Sequence, residues 1–262
     1  MQALQTAATG MAAQALSVQV ISNNIANLQT TGYKKQTASF QDLIYAHIRR
    51  VGAQSSDQGT ILPVGIDIGG GVKTVGTPRS MTQGTLSQTG NDLDLAITGE
   101  GFFKILMPDG TYQYTRDGTM QQDATGRIVN AQGNPLQPTI TIPQNASGLT
   151  VNAQGQVSVT LPGTTTSSII GQIGLTRFIN KAGLQPVGNN LFTDTPSSGA
   201  PQDGLASAEG YGTLTQGSLE QSNVDVVSEM SNLIAAQRAY EMNAKVISAA
   251  DQMLQTTSAL FR

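Results

Sequence analysis

Apolar residues recur every seven positions at both ends of this chain, and the middle alternates and breaks in the manner of β-structure. Leu4, Met11, Val18 and Ile25 mark the N-terminal row; Val226, Leu233, Tyr240, Ile247, Leu254 and Phe261 mark a longer C-terminal one. A seven-residue period makes a narrow seam on a helix, which must bury itself against another helix. Between the N-terminal positions stand Ala8, Ala15 and Ser22, and no charged residue precedes Lys34. Charges are the costly groups to bury, so a helix flanked by Gln5, Thr9, Gln19 and Asn23 can pack on several sides. A solvent-facing helix that happens to lack charge is the alternative. Gly10 costs a helix roughly 1 kcal/mol relative to Ala and marks either close packing or a tolerated defect. The helix is expected to stop at Thr31-Gly32, with Gly32 as a left-handed cap.

The C-terminal helix is expected to start at Ser222, with Asp225 three residues on in a capping-box arrangement, and Glu241 and Lys245 form a favourable i,i+4 pair. A second row, Ala239, Val246, Met253 and Leu260, widens its apolar stripe, so this helix should touch more than one neighbour. The two helices would run about 40 Å and about 60 Å, and neither is stable in water with its seam uncovered.

All ten prolines fall between Pro63 and Pro201 and bracket a non-helical body. The division expected is 1–32 as the N-terminal helix, 33–82 as an extended or β connecting segment, 83–221 as a β-rich outer domain and 222–262 as the C-terminal helix. Phe40, Leu43 and Ile44 suggest a short helical or extended piece, and residues 61–75 look like a Gly-interrupted strand pair. Pro108-Asp109-Gly110 lies between strand-like runs 101–106 and 112–115, and Asn152-Ala153-Gln154-Gly155 separates Leu149–Val151 from Gln156–Val159. Both are hairpin signals. Residues 170–178 read as one further strand and 194–210 as a polar loop. Short strands at spacings near ten residues argue for a sandwich or barrel-like domain. Gln83–Thr89 is echoed by Gln216–Ser222, either as paired strands where the chain enters and leaves the β-body or as chance similarity in a Gln/Ser/Thr-rich chain. The fold class is therefore α+β: long terminal helices pairing in a coiled-coil-like core, with an all-β middle domain.

Composition narrows the function. Charged residues make up 12% and the net charge is −3, which gives no electrostatic footprint for nucleic acid. There is no cysteine and one histidine, which excludes disulfides, the common zinc sites and histidine-based triads. No apolar run approaches the ~20 residues that span a bilayer, and the N-terminus lacks the basic region of a signal peptide. His47, within Tyr45–Arg50, reads as a surface residue. Asp92 and Asp94 could pair on one strand face as a hydrolase would require, but Asn91–Ile97 alternates like an ordinary half-buried strand. Gly69-Gly70-Gly71 lacks the following Lys and Ser/Thr of a phosphate loop. No enzyme, metal or cofactor is expected.

Three motifs in order carry a resemblance. Ser22–Asn27 with Thr30-Thr31-Gly32-Tyr33-Lys34 contains Asn24, Ala26, Asn27, Thr30, Gly32 and Tyr33. Asp92–Ile97 and Gly99–Phe103 are followed by Tyr114–Gly118. Ser222–Asp225 is followed by a run with Gln237, Arg238 and Tyr240. Together they resemble the bacterial flagellar basal-body rod and hook family over essentially the whole chain. Length and the segment Gly52–Gln58 look most like its distal rod members, with proximal rod members next; hook proteins carry further outer domains.

The resemblance implies a structural subunit of a hollow helical drive shaft that transmits motor torque to the hook. It implies a homopolymer with proximal rod proteins, hook protein and P-ring and L-ring proteins as partners. It also implies passage through the flagellar type III export apparatus and residence in the basal body, spanning the periplasm toward the outer membrane. The terminal helices are expected to order on assembly, and the loop Arg50–Pro63 to stiffen subunit contacts.

Overall fold

The computed structural model describes residues 2–49, 51–52, 64–163 and 167–260. It is an α+β protein with a helix at each end and β-structure between. The chain forms two compact units. One contains Met1–Ile25, Gln36–Pro78 and Asp225–Arg262; the other contains Ala26–Lys35 and Arg79–Val224.

In the first unit, helix α1 spans Gln2–Ala26, strands β1 (Ser39–Asp42), β2 (Tyr45–Arg49), β3 (Ile66–Gly69) and β4 (Val72–Gly76) follow, and helix α2 spans Val226–Leu260. Strand β1 pairs with β4 and β2 with β3, both antiparallel, with Leu43 N–H to Gly71 O at 2.8 Å and Gly70 N–H to Ile44 O at 3.2 Å between them. The result is one long two-stranded ribbon. The expected strand pair within 61–75 is corrected here: β3 and β4 do not pair with each other but run on, each against the 39–49 segment. Gly70-Gly71 is an irregularity inside a strand rather than a turn. The helical option for Phe40–Ile44 is likewise not taken: Phe40 lies in β1, and Leu43 and Ile44 connect β1 to β2.

Both helix boundaries differ from those expected. Helix α1 ends at Ala26, with turns to Gly32; Asn24, in its last turn, ties the helix end to the following segment, its Nδ2 donating to Gln36 O at 2.8 Å and its Oδ1 accepting from Gln36 N–H at 2.9 Å. Helix α2 begins at Val226, not Ser222. The cap is Asp225, whose Oδ2 accepts from Ser228 N–H at 3.2 Å, whereas Ser222 Oγ accepts from Val224 N–H before the helix starts.

In the second unit the strands are β5 (Leu86–Gln88), β6 (Leu95–Thr98), β7 (Phe103–Leu106), β8 (Tyr112–Thr115), β9 (Gln121–Gln122), β10 (Ile128–Val129), β11 (Leu136–Gln137), β12 (Gly148–Val151), β13 (Gln156–Thr160), β14 (Ser167–Gln172), β15 (Gly174–Arg177), β16 (Gln185–Gly188), β17 (Leu191–Thr193), β18 (Gln202–Leu205), β19 (Thr213–Gln216) and β20 (Ser218–Glu220). The largest sheet has the order β11-β7-β8-β17-β16, and β12-β13-β14 form another; β15-β18, β6-β19, β5-β20 and β9-β10 pair separately. Both expected hairpins are present as β7–β8 and β12–β13. The echoed segments pair directly, Ser218 with Gln88, Leu219 with Ser87 and Glu220 with Leu86. Their leading glutamines act alike. Gln83 bonds Ile97 O and Gly99 N–H, and Gln216 bonds Val151 N–H, Asp92 O and Leu149 O, so each side-chain amide closes off the backbone of neighbouring segments.

Residues 170–178 are not one strand. The run breaks at Ile173, and β14 and β15 enter different sheets. Strand β18 lies inside the expected polar loop 194–210, recruited by pairing with β15. The core is closed by Leu95, Ile97, Phe103, Ile105, Ile128 and Leu136, among others. A second, aromatic cluster gathers Phe102, Tyr114, Phe178 and Phe192, with edge-to-face contacts at 4.7–6.2 Å.

Candidate functional site: helix surfaces and a buried charge knot

The two helices meet in the first unit through small and polar residues. Asn24 Nδ2 donates to Glu229 Oε2 at 3.1 Å, and both side chains are buried. A Cβ on Gly10 would lie 3.0 Å from Asn243 Nδ2, so Gly10 sits in tight contact with α2. On α1 the buried positions are Ala7, Ala13, Val20 and Asn24; on α2 they are Glu229, Ala236 and Ala250, with Asn243 half-buried in the same seven-residue row. The rows singled out from sequence lie beside these. Leu4, Met11, Val18, Ile25, Leu233 and Ile247 are half-buried, while Val226, Tyr240 and Leu254 are exposed. Phe261 and most of Arg50–Pro63 lie outside the described residues. Further exposed apolar side chains, Val227, Met230, Ile234, Met242, Val246 and Met253, extend around α2. The ribbon also exposes Ile44, Ile48, Ile66 and Ile68. On α2 the apolar side chains are interleaved with exposed Arg238, Glu241, Lys245 and Asp251.

The second unit contains a charge knot that the sequence did not reveal. Lys34 Nζ lies 2.6 Å from Glu220 Oε1, with side-chain exposures of 1% and 0%. Lys34 Nζ also donates to Thr82 O at 2.8 Å. Arg116 Nη1 lies 3.3 Å from Glu220 Oε2, its Nη2 donates to Gly99 O at 2.7 Å, and its guanidinium stands over the Phe102 ring. Gly84 N–H donates to Glu220 Oε1 at 2.9 Å. Two cations thus share one carboxylate out of water. Burial pulls the Lys34 ammonium below its ordinary pKa, against the opposing effect of Glu220, and burial lowers Arg116 as well.

Local backbone delivers these groups. Gly32 has φ +66° and donates its N–H to Glu220 O at 2.8 Å; the turn sends Lys34 inward. A second layer stitches the segments where the chain leaves this unit. Lys35 N–H donates to Asn223 Oδ1 at 2.7 Å, Ser80 N–H to Lys35 O at 2.8 Å, and Asn223 Nδ2 to Ser80 O at 2.9 Å. In a chain so poor in charge, the first charged residues, Lys34-Lys35 after Gly-Tyr, and a Glu in one copy of the echo, where the other has Ser87, were the available signals.

The motif residues divide between turn and surface. Asn24 is buried, Asn27 Oδ1 accepts from Thr30 Oγ1 at 3.2 Å, and Tyr33 is buried beneath the Arg79 guanidinium at 5.8 Å. Ala26, Gln237, Arg238 and Tyr240 are exposed. The carboxylate candidates offer no catalytic pair. Strand β6 starts only at Leu95, and Asp94 is buried, accepting from Thr89 Oγ1 at 2.6 Å and Asn91 Nδ2 at 3.1 Å; the expected alternation over 91–97 gives way to four consecutive buried residues, Asp94–Ile97. His47 is exposed and its Nδ1 lies 2.6 Å from Asp67 Oδ1 across the ribbon. Among the described residues no cluster of His, Cys, Asp and Glu could hold a metal, and no helix is long and apolar enough to cross a membrane.

Residues 4–34 match the family described as flagella basal body rod protein, 96–159 the flagellar hook protein FlgE/F/G D1 domain, and 215–260 the flagellar basal body rod FlgEFG protein C-terminal region. The chain is 53% identical to the flagellar basal-body rod protein FlgG of Caulobacter vibrioides over 99% of both chains. It is 45% identical to that of Agrobacterium fabrum over 98% of both, and 44% identical to that of Borreliella burgdorferi over 100% of this chain and 99% of the other. The chain belongs to the flagellar basal-body rod and hook family, and it is a structural protein rather than an enzyme.

Proposed function

We propose that this chain is a subunit of the distal rod, polymerising into a hollow helical drive shaft that carries torque from motor to hook. The observation that carries this reading is the surface of α2. Exposed Val227, Met230, Ile234, Tyr240, Val246 and Leu254 surround a helix whose small-residue row already faces α1. Burying a large aliphatic or aromatic side chain contributes about 1.5–3 kcal/mol, so neighbouring copies gain several such terms at once. The two terminal helices act as a coiled-coil-like pair within the subunit, and the rows through Leu4–Ile25 and Val226–Phe261 form the seams between subunits. Before assembly the helices are held only marginally, since their seams lack cover. The β-rich unit, with its own closed core, forms the outer shell. Its charge knot and stitched exit segments resist twisting where the chain leaves it, as a torque-bearing part requires.

The partners are copies of the same chain, the proximal rod, the hook and the P-ring and L-ring. The subunit reaches the periplasm through the flagellar type III export apparatus and stands in the basal body toward the outer membrane. The segment Arg50–Pro63 stiffens contacts between copies. Sedimentation of Leu233→Asp and Ile247→Asp tests the seams: both variants should stay unpolymerised at concentrations where the native chain sediments, with β-unit circular dichroism intact. Polymers from either variant would sink the seam assignment.

A further inference from the structure

The chain has no cysteine and eight methionines, so methionine thioethers are its only readily oxidised sulfur. Among the described residues their surroundings divide them sharply; Met1 lies outside these. Met120 is 2% exposed, inside the β-unit core, and Met11, Met81 and Met107 are half-buried. Met230, Met242 and Met253 are 53%, 61% and 63% exposed, and all three lie on α2. Their exposed companions on that helix are Val227, Ile234, Val246 and Leu254. An unbranched thioether packs against varied shapes; its sulfoxide is polar and chiral and disrupts such packing.

We propose that Met230, Met242 and Met253 form an oxidant-sensitive modification site of the unassembled subunit, where a hydroperoxide converts the thioethers to sulfoxides and blocks polymerisation. The assembly consequence rests on the rod reading above, in which neighbouring copies cover α2. In the reaction a sulfur lone pair attacks the terminal peroxide oxygen, and the S–O bond forms as the O–O bond breaks. With hydrogen peroxide, the proton of the transferred oxygen passes to the departing hydroxide, which leaves as water. Sulfur loses two electrons and the peroxide gains two, one peroxide being consumed per methionine. Packing in the polymer shields the three sulfurs, so oxidation selects against subunits that have waited exposed and reaches finished polymer more slowly. Reductases for both sulfoxide epimers reverse it.

The full chain, treated with hydrogen peroxide, is digested for mass spectrometry and assayed for polymerisation by sedimentation. The three α2 methionines should gain oxygen first, with Met120 unmodified. The critical concentration should rise at least about tenfold, the equivalent of about 1.4 kcal/mol per added subunit. The triple variant Met230→Leu, Met242→Leu, Met253→Leu should polymerise equally well before and after treatment, and preformed polymer should oxidise more slowly than free subunit. Oxygen uptake at Met120 ahead of the α2 residues overturns the site. An unchanged critical concentration after complete α2 oxidation overturns its consequence, as does equal loss of polymerisation in the leucine variant. An untreated chain that never polymerises instead overturns the rod reading and the assembly consequence together, while the order of oxygen uptake still decides the site.

Discussion

Replacing Glu220 with alanine removes the one carboxylate on which Lys34, Arg116 and the Gly84 N–H converge. Truncating one partner of a buried ion pair costs about 3–5 kcal/mol, because the remaining charge is left without compensation. Here two cations lose their partner. Lys34→Met leaves Glu220 with Arg116 and the Gly84 N–H and fills the space of the lysine stem; the loss is the two hydrogen bonds that the ammonium donates, to Glu220 Oε1 and Thr82 O, at about 1.5–3 kcal/mol each. Once Glu220 is gone, removing Lys34 relieves a buried charge, so the double variant should cost less than the sum by roughly 0.5–3 kcal/mol. Guanidinium unfolding followed by circular dichroism of the β-unit measures all three. The pH dependence has a defined sign. Burial holds the folded Lys34 pKa below 10.5, so between the folded value and 10.5 the unfolded chain binds more protons and stability rises with pH. Lys34→Met should remove that rise. A Glu220→Ala cost below about 1 kcal/mol, or strict additivity in the cycle, would refute the knot as a coupled unit.

Three further outcomes follow from named contacts. Burial pushes the Tyr114 phenol up to about 12; the folded state keeps that proton while the unfolded chain loses it above pH 10, so stability should fall between pH 10 and 12 by up to about 2.7 kcal/mol. Tyr114→Phe should lessen the fall, and ultraviolet titration of the native chain should show one late-ionising tyrosine that the variant lacks. Gly32→Ala places a Cβ 2.7 Å from Asp117 N at φ +66°, so it should cost the β-unit more than the about 1–2 kcal/mol of left-handed strain alone; denaturant unfolding no different from the native chain would contradict this. Asp225→Ala should destabilise α2 by about 0.5–2 kcal/mol as the loss of a cap, whereas Ser222→Ala should leave helical melting by circular dichroism nearly unchanged.

The terminal helices were legible because a seven-residue apolar period persists regardless of tertiary context. Their ends were not: Asn24 ties the last turn of α1 to Gln36 and Asp225 rather than Ser222 caps α2, contacts that propensity does not encode. The hairpins at Pro108-Asp109-Gly110 and Asn152–Gly155 carry their turn chemistry locally and were readable. The ribbon partners of β3 and β4, the split at Ile173 and strand β18 depend on pairing across distant sequence and were not. The apolar rows on the helices were visible, but the row used inside the subunit, Glu229, Ala236, Asn243 and Ala250, is small and polar and gives no hydrophobic period. The knot was hidden for a related reason: Lys34, Arg116 and Glu220 stand 186 residues apart at the extremes of the set, and burial of a charge shows only when its partners are placed.

The central claim is that the exposed apolar side chains of α2 drive polymerisation. Electron microscopy of the concentrated full chain, beside a chain lacking residues 226–260, tests it most directly. The account predicts straight, hollow rods from the full chain alone and discrete particles from the shortened one. Rods of equal length and number from both would contradict it.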